Sequence, residues 1–359
     1  MTQRERQLLR WIEENPLISQ QELADKAGIT RSSVAVHISN LMKKGYITGK
    51  GYIIHTAPYV TVVGAVNMDI GGTSAQPLVP QDSNPGTVRM SLGGVGRNIA
   101  HNMSLLGLDV RMVTVFGDDL NAQKIAASCA ELGIDISHAP VIPGGRTSTY
   151  LFINDEHGDM ALAVSDMDIY RHLTPQMLAQ RQKLLSASQV IVLDTNLPEE
   201  SIQYLAQTAS VPIFADPVST AKAVKLRSVL GKLHTLKPNR MEAELLSGVP
   251  ITDEASLNQA ADALLATGLR RVFISLGADG VFAADHSQRL HLPVLPAAMA
   301  NTTGCGDAFM AAITWAYLRG TDLRGTALAG LAASAIAMEG TETINPALSE
   351  DALLARIPI

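Results

Sequence analysis

The stretch NTTGCGDAFM, residues 301–310, sets a carboxylate at the mouth of a helical run, directly behind a turn of small residues. The amphipathic spacing from Ala308 onward predicts a helix whose N-terminus falls at Gly304 to Asp307. The first amides of a helix have no partner within it, so those of Gly304, Cys305 and Gly306 are free to receive an anion. Asp307, beside that anion, is suited to take a proton from an attacking hydroxyl. The amides would stabilise charge building on a transferred phosphoryl group. The segment has no Walker lysine, so it is not a P-loop. Cys305 reads as a small residue that contributes its amide rather than as a reactive thiol.

Two further segments invite chemistry. LGGVGRNIAHNMSLLG places Gly93 and Gly94 before a helix with Asn98 in its first turns, and glycines let a backbone approach a ligand closely. Gly93, Gly94 and Gly96 fail the GxGxxG spacing, and no acidic residue follows at a second strand end, which excludes a dinucleotide fingerprint. HTLKPNRMEAELLSG ends a strand and opens a helix. Asn239 and Glu242, three apart and on one side, suit a hydrated Mg²⁺ near a nucleotide, or else an ordinary acidic first turn.

The elements that must position these residues begin at about residue 59. VRMVTVFG, VIVLDTN, VPIFADPVS, LHTLKPN and RVFISLGADG are near-continuous apolar strands that stop at polar residues or glycine. Helical runs such as NAQKIAASCAELG, EESIQYLAQTA and DEASLNQAADALLATG lie between them. This alternation predicts an α/β fold, a doubly wound, mostly parallel sheet buried on both faces. Ligands in such sheets bind beyond the carboxyl ends of the strands, which makes the polar strand ends candidate site residues. Residues 145–164 break the alternation and read as a hairpin turning at Asp155–Gly158. With residues 71–90 they predict a small β lid, a device that excludes water during transfer chemistry.

The first 57 residues form a separate piece. They hold eight Lys or Arg and five Asp or Glu, an excess of three positive charges on a chain of net charge −6. A basic piece on an acidic body points to two kinds of partner. Leu8, Leu9, Trp11 and Ile12 make one helical stripe, which Pro16 stops. Ser19 and Glu22 form a capping box for a second helix, which Gly28 ends. Thr30 caps a third helix with Val34, Ile38, Leu41 and Met42 on one face, ended by Gly45, and YITGKGYII reads as a small hairpin. Three short helices and a hairpin resemble a winged helix-turn-helix domain. Its third helix would offer Arg31, Ser32, Ser33 and His37 to a DNA groove, with Lys43, Lys44 and Lys50 near phosphates. A small helical domain for dimerisation is the alternative. The domains are thus expected at 1–57 and 58–359, joined by the short HTAPY segment. The apolar run LAGLAASAIAM is too short and alanine-rich to cross a bilayer, and MTQRERQLLR leads into no signal-like segment, so no membrane association and a cytoplasmic location are expected. Two cysteines, Cys129 and Cys305, imply no disulfide framework.

LGGVGRN and NTTGCGDAF resemble the two signatures of the ribokinase/PfkB family of carbohydrate and nucleoside kinases. NRME is similar to that family's magnesium motif and GAVNMD to its substrate-binding first strand, all in the family's order over residues 59 to about 350. DSNPG, GGVGRNIA, DPVS and HTLKPNRMEAE resemble most its pseudouridine-kinase members. The resemblance implies a ribokinase-like fold and transfer of phosphate from ATP to the 5′-hydroxyl of a ribonucleoside, pseudouridine first. Another nucleoside kinase, a ribose-type sugar kinase and a ligand-sensing transcription regulator remain the alternatives. By the same resemblance Asp307 would be the base, and Gly304, Cys305 and Gly306 the anion hole. Asn67, Asp69, Gly93, Gly94, Asn98 and Asn196 would hold ribosyl hydroxyls. Asn239 and Glu242 would organise Mg²⁺, and Asn239, Ser275, Gly277 and Gly280 would approach ATP. A K⁺ site stays open, because Asn301 stands where ribokinase has an aspartate that helps coordinate a monovalent cation. A lid that pairs between subunits implies a homodimer.

Overall fold

The structure is a computed structural model and describes residues 1–48 and 58–358. The chain divides into two compact units, Met1–Pro58 and Tyr59–Ile359.

In the first unit, α1 (Gln3–Glu14), α2 (Gln20–Ala27) and α3 (Arg31–Lys43) enclose Leu8, Ile12, Leu23, Val34, Ile38 and Leu41. Each start has the capping chemistry its sequence implies. Ser19 and Glu22 exchange hydrogen bonds with each other's amides at 3.1 and 2.8 Å, and the Thr30 hydroxyl accepts from the Ser33 amide at 3.2 Å. Gly28 ends α2 in the left-handed region at φ +62°. Met42 departs from expectation, being exposed. It lies roughly 80° around the helix from Val34, beyond the stripe centred on Val34, Ile38 and Leu41. Most of the expected hairpin, with Lys50, lies outside the described residues.

The second unit is built on an eight-stranded sheet. Along the chain the strands are β1 (Val60–Val63), β2 (Asn67–Ser74), β3 (Gly86–Gly93), β4 (Val110–Val113), β5 (Phe116–Gly117), β6 (Val141–Ile142), β7 (Thr149–Asn154), β8 (Met160–Asp166), β9 (Val190–Asp194), β10 (Ile213–Asp216), β11 (Thr235–Leu236), β12 (Arg271–Ser275), β13 (Val281–Asp285) and β14 (Arg289–Leu292). The main sheet runs β14-β13-β12-β11-β10-β9-β1-β4, parallel from β12 to β4 and antiparallel at the β13–β14 edge. Alternate residues feed two cores. Val63, Ile191, Leu193 and Ala215 face one, while Val62, Val190, Val192 and Phe214 face the other. Both faces are dry, which is why these strands read as unbroken apolar runs rather than alternating ones. The helices Val95–Leu105 and Cys305–Leu318 pack on the same face and against each other. Two distant glycine motifs are thereby brought side by side.

The expected lid is present as the sheet β3-β2-β7-β8, with β2 paired to both β3 and β7. Its hairpin closes through the Gly158 amide to the Asp155 carbonyl at 3.1 Å, with Gly158 at φ +88°. β2 continues directly from the end of β1, so Asn67 and Asp69 lie where the main sheet meets the lid.

Candidate active site

Asp307 sits in the first turn of the Cys305–Leu318 helix, whose N-cap is Gly304 at φ +85° with no side-chain cap. The Val95–Leu105 helix begins the same way, on Gly94 at φ +96°. At other helix starts a side chain takes an early amide, as Asp119 and Asp322 do. At the Val95–Leu105 start, Asp194 and the Ala65 carbonyl take the amides of Gly96 and Arg97 at 2.8 and 3.0 Å. At the Cys305–Leu318 start no side chain takes the first amides, although the Cys305 amide reaches the Thr302 carbonyl at 3.5 Å. No β-carbon fits at Gly304, where it would come within 2.1 Å of the Thr343 carbonyl oxygen. A glycine is required there by both space and backbone angle.

The two helix starts meet. Asn98 Nδ2 donates to Asp307 Oδ2 at 2.9 Å, across 209 residues of sequence. Asp307 keeps a window to solvent while protein closes around its carboxylate. Burial and then the charge of Asp216 push its pKa up from 3.8 to about 7, against the opposing pull of Asn98 and Lys237. It is a carboxylate poised to hold a proton near neutral pH. The Cys305 thiol is pushed up by burial and by Asp307, so it stays protonated and unreactive.

Asp69 lies against Gly93, where a β-carbon would fall 2.0 Å from Asp69 Oδ2. Burial raises its pKa to about 6, although Arg97 pulls the other way, and its Oδ1 is buried without a partner among the described residues. Such an atom is a ready acceptor for a substrate hydroxyl. Asn98 Oδ1 is unpartnered in the same sense. Asn67 is oriented from within, its Oδ1 accepting from Ser148 Oγ at 2.7 Å and Tyr170 Oη at 3.2 Å. Asn196 is also engaged, its side-chain oxygen accepting from Lys222 Nζ.

Asn239 and Glu242 form a complete capping box. Asn239 Oδ1 accepts from the Glu242 amide at 2.9 Å, and Glu242 Oε2 accepts from the Asn239 amide at 2.8 Å. The pair caps the helix, and Glu242 keeps its second oxygen outside the capping box. Glu242 is buried, and burial followed by Asp216 raises its pKa. Asn239 is bridged to Ser275, beside the turn in which the Leu276 amide donates to the Gly280 carbonyl at 2.9 Å. Gly277 and Gly280 take φ +63° and +89° there. The candidate residues thus fall into two groups, one around Asp307 and one around Glu242. Lys237 lies electrostatically between them.

Three residues that position the site were given no role from the sequence. Asp194, wholly buried at the end of β9, accepts from the amides of Ala65 and Gly96, both at 2.8 Å, and ties the glycine turn to the sheet. Lys237 and Asp216 form a buried ion pair at 3.1 Å. The signal available for all three was their place at polar strand ends, in DTN, DPV and LKPN. In the first unit Arg31 and Ser32 are exposed at the start of α3, while the Ser33 hydroxyl is paired with Thr30 and His37 is half-buried. Lys44 is drawn to the buried Glu5 at 2.7 Å rather than standing free for phosphates.

The pfkB family carbohydrate kinases match residues 57–350, and winged helix-turn-helix DNA-binding domains match residues 1–48. The chain belongs to the pfkB family of carbohydrate kinases and carries a winged helix-turn-helix domain before its kinase domain. It is similar to an uncharacterized sugar kinase of Escherichia coli, 38% identical over the whole of both chains. It is also similar to the pseudouridine kinase of Escherichia coli, 36% identical over 81% of this chain and 94% of the relative. Among solved structures, a carbohydrate kinase from Agrobacterium tumefaciens is 30% identical, with a TM-score of 0.74 over 84% of this chain and 97% of that one. An Arabidopsis thaliana ribokinase complexed with ribose and ATP shares the fold at a TM-score of 0.76 and 19% identity, over 85% of this chain and all of that one. Kinases of this family use ATP and Mg²⁺.

Proposed function

We propose that the kinase domain transfers the γ-phosphoryl group of ATP to the 5′-hydroxyl of a ribonucleoside, with pseudouridine as the preferred acceptor. The observation that carries this reading is Asp307, raised to about 7 at a helix start with no side-chain cap and hydrogen-bonded to Asn98 of the Val95–Leu105 helix. A base with a pKa near the working pH, at a helix N-terminus, is the combination that phosphoryl transfer to a hydroxyl requires. The choice of nucleoside rests on the 36% identity to a pseudouridine kinase.

In this reading Asp69, Asn98 and Asn67 orient the ribosyl hydroxyls, with Asn67 locked by Ser148 and Tyr170. Asp307 receives the 5′-hydroxyl proton while the amides of Gly304, Cys305 and Gly306 hold the phosphoryl oxygens. The lid closes over the reacting groups and keeps water, a competing acceptor, away. Glu242 would hold a Mg²⁺ ion through the carboxylate oxygen that its capping box leaves free, a hard oxygen donor that suits this cation. When bound, that ion supplies charge neutralisation on the phosphates. Ser275, Gly277 and Gly280 present backbone to the nucleotide. Asn301 turns its side-chain oxygen to the Thr303 amide at 2.9 Å, which offers no distinct argument for a K⁺ site.

Exposed Val88, Met90, Leu151, Leu162 and Val164 share one face of the lid by strand register, and we assign this face to a second copy in a homodimer. The first unit is read as a DNA-binding module led by Arg31 and Ser32, so that the enzyme and a ligand-responsive regulator coexist in one chain. ATP as donor and two free cysteines accord with the cytoplasm. The test is a panel of pseudouridine, uridine, cytidine, inosine and ribose with ATP and Mg²⁺, followed by ADP release. Pseudouridine should give the highest kcat/KM. Turnover of inosine or cytidine without pseudouridine would transfer the reading to another nucleoside kinase.

A further inference from the structure

A buried cation stands within the site. Lys237 lies just past β11, at the carboxyl edge of the sheet, with its side chain 8% exposed. Its ammonium makes one ion pair among the described residues, to Asp216 Oδ2 at 3.1 Å. Asp216 is itself held in place, because its Oδ1 accepts from the Val218 amide at 2.9 Å. Val218 adopts φ +64° to make that bond, a left-handed conformation that a β-branched residue takes only under constraint. The pair is therefore fixed on both sides.

What Lys237 faces is the anion turn. A β-carbon added at Gly306 would lie 3.2 Å from Lys237 Nζ and within 4 Å of no other described atom beyond its own neighbours. Gly306 is exposed there, so the space beside it is open to solvent on one side and reached by the ammonium on the other. An anion held on the Gly306 amide would meet the Lys237 cation. The Asp216 carboxylate at 3.1 Å balances the buried ammonium. Gly306 also has to be glycine for this, since a larger side chain would fill the gap between amide and ammonium.

We propose that Lys237 is a catalytic residue whose ammonium contacts the phosphoryl group during transfer, opposite the Asp307 carboxylate. The inference rests on the kinase reading above. The bond from the γ-phosphorus to the bridging oxygen of ATP breaks, and a bond from the 5′-oxygen to phosphorus forms. The hydroxyl proton passes to Asp307, ADP departs with the electron pair, and Lys237 neither gives nor takes a proton. Charge spreads over the equatorial oxygens as the group moves, and a fixed cation there acts more strongly on the transition state than on bound ATP.

Lys237→Met and the paired variant Lys237→Met/Asp216→Asn test this, the second removing the unpaired buried carboxylate that could unfold the first. Each is measured for thermal unfolding, for nucleoside Kd by calorimetry, and for kcat. The expected result is a folded double variant with nucleoside Kd within about threefold of wild type and kcat lowered by about 10²–10³. A double variant that regains more than about a tenth of wild-type kcat would overturn the proposal, because Lys237 would then serve only to neutralise Asp216. A loss carried by nucleoside Kd rather than by kcat would overturn it as well. The wild-type panel is run first. Absence of turnover by wild type would defeat the kinase reading, and the role of Lys237 with it, whereas loss confined to the variants concerns Lys237 alone.

Discussion

Replacing Asp307 by Asn should make the protein more stable and nearly inactive. On folding, the Asp307 carboxyl moves from 3.8 to about 7. The folded state therefore holds that proton more tightly than the unfolded chain does. The stabilising share of this group is complete below about pH 4 and is lost as pH rises through about 7. At pH 8 the ionised carboxylate opposes folding, by an amount that the interval sets at about 4 kcal/mol. Asparagine carries no charge, and its oxygen can still accept from Asn98 Nδ2, so the cost is removed while the contact is kept. Ligand-free Asp307→Asn should exceed wild type by about 2–4 kcal/mol at pH 8, a rise of several degrees in Tm, and by little at pH 4.5. Its kcat should fall by about 10²–10⁴ with nucleoside Kd nearly unchanged. Thermal and denaturant unfolding at the two pH values measure the first effect, and single-turnover assays the second. A variant no more stable than wild type at pH 8, or a gain equal at both pH values, would refute the electrostatic picture of the site.

Other consequences follow from the same contacts. Wild-type kcat/KM should rise with pH and level off above about 7, falling by about tenfold per unit below it and more steeply below about 6, where Asp69 also protonates; a bell centred on acidic pH would contradict both roles. Gly93→Ala drives a β-carbon to within 2.0 Å of Asp69 Oδ2, so nucleoside KM should rise more than tenfold with about 1–3 kcal/mol of lost stability, read by kinetics and denaturation. Asp194→Asn cannot present acceptors to Ala65, Gly96 and Asn196 alike, and should cost about 3 kcal/mol of kinase-domain stability in urea unfolding. DNA binding by the full chain should weaken linearly in log–log plots against salt, and Arg31→Ala should lower that slope by about one; salt-insensitive binding would remove the first unit from DNA.

The elements were legible wherever burial is two-sided or a cap is local. Strands such as VIVLD and IFAD could be read because both faces meet apolar cores, and α2 because Ser19 and Glu22 are only three residues apart. The antiparallel β13–β14 edge was not singled out, since a short edge strand carries less pattern. The site was legible where backbone freedom forces glycine, at Gly94 and Gly304, and at Asp307 beside them. What stayed hidden were partnerships between distant residues. Asp194 reaches Ala65 and Gly96 across 129 and 98 residues, and Lys237 faces Gly306 from another strand end. No spacing rule exposes such pairs; only the sheet order does. Local reading also left open whether Asn239 and Glu242 serve the helix or a metal, and the capping box shows that the helix claims at least half of their oxygens.

In the proposed reaction Asp307 activates the 5′-hydroxyl of a ribonucleoside toward ATP. Its most direct test is to incubate wild type and Asp307→Asn with ATP, Mg²⁺ and pseudouridine, and to locate the product phosphate by phosphorus–proton coupling in NMR. Wild type should give ADP and the 5′-monophosphate, and the variant at most about a hundredth of that rate. Phosphate on another hydroxyl, comparable turnover by Asp307→Asn, or no phosphorylation of pseudouridine by folded wild type would contradict it.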